Sequence, residues 1–84
     1  MDFNKENVIN KRILVELTFV DSQGRPLNKQ EIRGRVTEAN DDYVAIKTFA
    51  GGDFYVPAAY EAFEKSDRFA TDVFVAFELE SPDA

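Results

Sequence analysis

Several polar groups in this chain have the types and spacing that chemistry requires. Asn40-Asp41-Asp42 could offer oxygens to a hard cation such as Ca²⁺ or Mg²⁺. Glu61 and Glu64 stand i,i+3, the spacing that sets an acid beside a base on one helical turn. Ser22, Ser66 and Ser81 carry hydroxyls that a neighbouring base could activate. The activating partners are missing. The 84 residues contain no His and no Cys, so the usual base near neutral pH, the thiolate nucleophile and the soft metal ligand are absent. Asn40-Asp41-Asp42 lacks the spaced acids of an EF-hand loop and reads as a turn. Glu61 and Glu64 read as a solvated face, since neither has an apolar pocket beside it. The expectation is a protein that is not an enzyme, with no catalytic residues, no metal and no cofactor.

A second chemistry is phosphate binding. Arg33 and Arg35 share one face of a strand by period-two alternation, and Lys47 falls on the next strand, across from them. Tyr43 and Tyr55 could stack on bases beside those cations. Ten Lys and Arg against sixteen Asp and Glu give a net charge of −6, which opposes a polyanion at long range. The charge is uneven. Residues 1–30 carry five basic and four acidic side chains, and residues 31–84 carry five and twelve. Arg33, Arg35 and Lys47 are therefore the nucleic-acid candidates of an alternative reading. Pairing with acids on a mixed surface is the simpler account of them. A cyclic-dinucleotide site is disfavoured by the spacing of Arg33-Gly34-Arg35, and a DNA mimic by the dispersed acids.

The elements that must carry these residues are short strands. Residues 11–20 alternate, with Ile13, Val15, Leu17 and Phe19 on one face. Asp21-Ser22-Gln23-Gly24 forms a turn, and residues 25–30 continue as a loop around Pro26. Residues 31–38 form a second strand with Ile32, Gly34 and Val36 inward. Gly34 marks a bulge, a bend or the close approach of another backbone. Residues 43–49 form a third strand, Ala50–Asp53 a tight hairpin, and residues 54–56 a fourth strand ending at Pro57. Residues 58–63 suit one helical turn, and residues 69–80 a last strand.

Strands this short need closure or cover for their edges. The expected fold is all-β: a small five-stranded antiparallel barrel of SH3-like or Sm-like type, with one helical turn before the last strand. An OB-fold would need a longer helix where Ala50–Asp53 makes a hairpin. Residues 1–84 read as one domain, with residues 1–7 and 81–84 loose. The expected core is Val15, Leu17, Ile32, Val36, Val44, Ile46, Phe54, Val56, Val75 and Phe77.

Residues 8–67 also resemble an uncharacterised family of short bacterial proteins with an SH3-like or Sm-like barrel. The matching stretches are residues 8–18, Asp21-Ser22-Gln23-Gly24 and Ile32-Arg33-Gly34-Arg35-Val36. They continue in Gly52-Asp53-Phe54-Tyr55-Val56-Pro57, followed by Ala58-Ala59-Tyr60-Glu61-Ala62-Phe63. The chain departs from the family pattern at Ser66-Asp67-Arg68-Phe69, where a Pro-Gly turn is usual, and at Ala58, where a second Pro is usual. The resemblance implies a fold and no activity.

Protein contact remains. The outward phase holds Leu14, Val20, Tyr43, Phe49, Tyr55 and Phe74, more apolar surface than a small barrel needs outside. Tyr43, Tyr55 and Phe74 are the interface candidates, for self-association or for a protein partner. Cover by Phe3, Val8 and Ile9 is the competing account. The polar, mixed-charge start of the chain and the lack of any spanning apolar run lead to a cytoplasmic expectation, with no membrane and no small-molecule substrate.

Overall fold

The computed structural model describes residues 2–67 and 71–81. Strand β1 spans Arg12–Val20 and β2 spans Pro26–Ala39. Between them Asp21 builds the turn. Its carboxylate accepts the Gln23 and Arg25 amides at 2.9 Å and pairs with the Arg25 guanidinium at 2.8 Å. Gly24 supplies the positive φ of 80°. Residues 26–30, expected as a loop, instead belong to β2. Pro26 is the first residue of the strand, where its missing N–H costs no ladder bond. A register shift at Phe19/Val20 accommodates Leu27, and Lys29 then pairs with Thr18.

Strand β3 spans Tyr43–Thr48 and β4 spans Asp53–Pro57. A single 3₁₀ turn over Tyr60–Ala62 follows, where one helical turn was expected. Strand β5 is only Glu64–Lys65, and β6 spans Val73–Glu80. The expected last strand begins later than residue 69; Phe69 and Ala70 lie outside the described residues, as do Met1 and residues 82–84.

The protein is all-β, but the expected five-stranded antiparallel barrel is replaced by a six-stranded mixed sheet. Its order is β4-β3-β2-β1-β6-β5, and β4 and β5 are its two unjoined edges. The difference comes from the chain reversal between β5 and β6. Lys65 pairs antiparallel with Val73, and the Ser66 amide donates to the Asp72 carbonyl. That extra hairpin turns β6 to run parallel to β1, from Ile13↔Val73 to Val20↔Glu80. A clamp fixes the start of the parallel pair. The Arg12 guanidinium bonds both oxygens of Asp72 at 3.2 Å, the Arg12 amide donates to the same carboxylate at 3.0 Å, and the Asp72 amide donates to the Arg12 carbonyl.

One face of the sheet carries the core. Val15, Leu17, Val36, Val44, Ile46, Val56 and Val75 are buried as expected, and Ile32, Phe54 and Phe77 are half-buried against them. Val8, Ile13, Phe63 and Val73 complete the cluster, with Phe3 and Ile9 packed on its margin. The N-terminal segment therefore joins the inner core. It is held there by Asn10, which has a φ of 67°, donates its amide to the Val36 carbonyl, and is followed by Lys11, whose carbonyl accepts the Val36 amide. At Gly34 the β3 backbone approaches β2 closely. A Cβ there would run into the Lys47 carbonyl and stand 2.7 Å from Ile46 Cγ2.

Candidate protein-contact face

The outer face of β3 and β4 is set by alternation. Val44, Ile46, Phe54 and Val56 point into the core, so Tyr43, Ala45 and Lys47 on β3 and Asp53 and Tyr55 on β4 point out. Tyr43 and Tyr55 meet edge to face, with ring centroids 5.6 Å apart. Tyr55 is 61% exposed. Tyr43 is half-buried, and its hydroxyl donates to the Glu38 carboxylate at 3.1 Å. That bond favours the protonated phenol, so Glu38 holds the Tyr43 pKa above the ordinary tyrosine value. The result is one aromatic ring pinned by a hydrogen bond, backing a second ring presented to solvent.

Phe74, the third interface candidate, is not part of this pair. It lies on β6, beside Leu14 of β1 and Glu64 of β5, with β1 and β2 between it and the tyrosines. Leu14 and Val20, expected on the outside, are buried. Phe49 is exposed as its phase requires.

The three cations share the outer face. Arg35 stands directly opposite Lys47, and Arg33 lies one pleat along the same strand. Arg35 is used at home, its guanidinium donating to the Asn10 carbonyl at 2.6 Å. Arg33 lies 3.6 Å from the Glu31 carboxylate. Asp53 faces Lys47 from β4. The surface is mixed in charge.

The acidic motifs have structural roles. The Asn40 side chain accepts the Asp42 and Tyr43 amides at 2.8 Å, which makes the β2–β3 turn, and Asp41 pairs with Lys5 at 3.1 Å. The 3₁₀ turn ends at Ala62, so Glu64 belongs to β5 and the helical pairing of Glu61 with Glu64 does not form. Ser66 Oγ lies 3.3 Å from Thr71 Oγ1. A recess of about 300 Å³ lined by Phe3, Asn7, Lys11, Lys65, Ser66 and Asp72 opens beside β5. Its carboxylate is already held by Arg12, and among the described residues no group of three or more acids gathers as a metal site. No helix among these residues is long and apolar enough to cross a membrane.

Sequence reasoning missed two exposed apolar residues, Leu27 and Leu79. Leu27 lies where β2 outruns β3, and Leu79 where β6 outruns β5. The one local signal was an isolated leucine inside a polar, Pro-led run. The Arg12–Asp72 clamp links positions sixty apart and has no local signature. Comparison with known protein families, characterised proteins and solved structures finds no match to this chain.

Proposed function

We propose that this protein is a small non-enzymatic binding module that works by protein–protein contact through the face bearing Tyr43 and Tyr55. The observation that carries this reading is the tyrosine pair itself. Tyr55 is 61% exposed on β4, an edge strand with no neighbour on its outer side among the described residues. An exposed ring with few rotatable bonds, braced by a second ring and set beside an open strand edge, suits an extended partner segment. The N-terminal residues Phe3, Val8 and Ile9 associate with the core and leave this face uncovered. The SH3-like or Sm-like resemblance is part of the same proposal. Its support is the meander of β1 to β4 and the single 3₁₀ turn that follows.

The alternative is an RNA-associated Sm-like protein. Arg35 opposite Lys47, one pleat from Tyr55 on the same face, is the observation in its favour. The test is quantitative crosslinking in the native host with wild type, Tyr55→Ala and a Leu79→Ser control, followed by calorimetry with the purified partner. The proposal expects a protein whose capture is lost in Tyr55→Ala and kept in the control. Equal capture by all three variants refutes it. RNA captured in an Arg35- and Lys47-dependent, salt-sensitive manner selects the alternative.

A further inference from the structure

Strand β2 is fourteen residues long, but β3 pairs only with its second half, from Gly34 to Ala39. Ahead of that, β2 bonds β1 on one side and, among the described residues, has an open edge on the other. The Phe49 amide donates to the Arg33 carbonyl at 2.9 Å, so Arg33 turns its backbone toward β3. Backbone direction alternates along a strand, so Lys29 and Glu31 turn their N–H and C=O groups to the same side, where no strand lies among the described residues. The Lys29 amide there donates to the exposed Asn28 side chain at 2.8 Å, a bond that strand pairing would replace. Their side chains share the outer face with Arg33.

An edge of this kind has few charge-matched antiparallel partners. Pairing β2 with a second β2 about a two-fold axis at Gln30 sets Lys29 opposite Glu31 and Glu31 opposite Lys29. Sliding by two residues in either direction sets Lys29 against itself or Glu31 against itself. The matched register also relieves a like-charge contact within the chain. Glu16 and Glu31 are direct neighbours across β1 and β2; Lys29 lies 3.3 Å from Glu16, and Glu31 has the more distant Arg33 at 3.6 Å. A second Lys29 would flank Glu31 from its open side. The ladder would end at Arg33, whose carbonyl is already taken by Phe49. There the partner's strand brings its Leu27 to Phe49, two apolar side chains that are 56% and 62% exposed in the single chain.

We infer that the β2 edge from Leu27 to Ile32 is a self-recognition site, and that two copies join there as an isologous antiparallel pair centred on Gln30. This surface is distinct from the tyrosine face and does not depend on it. The short ladder makes a weak dimer that forms with rising concentration.

Sedimentation equilibrium of the full chain, up to about 1 mM, tests it. Wild type is expected to dimerise. Lys29→Glu and Glu31→Lys, each shown folded by circular dichroism, set like charges across the axis and are expected to raise the dimer Kd about tenfold or more. The double reversal Lys29→Glu/Glu31→Lys restores complementarity and the dimer. Mixing the two single variants gives a heterodimer, since one then carries two acids where the other carries two bases. Tyr55→Glu leaves the dimer unchanged. A wild type that stays monomeric, or a dimer indifferent to both reversals, overturns the inference. A dimer lost only in Tyr55→Glu also overturns it and assigns self-association to the tyrosine face.

Discussion

Replacing Gly34 by Ala tests the packing of β2 on β3, on which the outer face depends. The new methyl carbon would overlap the Lys47 carbonyl oxygen and stand 2.7 Å from Ile46 Cγ2 and 2.9 Å from the Lys47 carbonyl carbon. Ile46 is buried and cannot swing away. Lys47 is backbone held between two neighbours, paired with Arg35 on β2 and Asp53 on β4. The strands must therefore part. Overfilling of this kind costs about 1–3 kcal/mol, and Ala regains about 0.5–1 kcal/mol over Gly by restricting the unfolded chain. The net expectation is a loss of about 1–2 kcal/mol. In a domain of this size that lowers Tm by about 5–15 °C. Urea unfolding followed by circular dichroism measures it, and hydrogen exchange is expected to rise first in β3 amides. Gly24→Ala is the control. Nothing lies within 4 Å of its Cβ position, so its cost comes from the positive φ of 80° alone. A Gly34→Ala protein within about 0.5 kcal/mol of wild type, with β3 exchange unchanged, would refute the close-approach reasoning.

Two further outcomes are expected from the charged groups. Hydrogen bonds from the Arg12 side chain hold the Asp72 pKa below the ordinary aspartate value; the unfolded chain then binds a proton at higher pH than the folded one, so stability falls as pH drops through the carboxylate range. Asp72→Ala should cost about 1 kcal/mol at neutral pH, discounted because both side chains are about two-fifths exposed, and should flatten that acid limb in pH-dependent urea melts. An unaltered limb would show that the clamp does not couple to folding. Glu38→Gln should bring the Tyr43 phenol down toward its ordinary pKa, because the carboxylate bond is the largest cause of its rise. Tyrosine ring carbon shifts in NMR read this directly, and an unmoved Tyr43 titration would remove the hydrogen bond that pins the ring.

Alternation by itself determined the β1 to β4 meander, the inward phase of Val15, Val36, Val44, Ile46, Val56 and Val75, and the outward phase of Tyr43 and Tyr55. It could do so because a period of two is a local property, and a buried face tolerates no slip of one residue. Gly34 was legible for a related reason, since a bare residue in mid-strand signals that something approaches it. Three features were decided only in the folded chain. The parallel pairing of β6 with β1 depends on the reversal after Lys65 and on Arg12 meeting Asp72, a contact between distant positions. The burial of Leu14 and Val20 depends on neighbouring strands, not on their own phase. The open edge of β2 exists because β2 outlasts β3, and strand length is set by the partner that pairs with it: nine residues of β1 extend the ladder back to Pro26, while β3 stops at Thr48. Local pattern fixes which way a side chain points. Only the tertiary ladder fixes what stands in front of it.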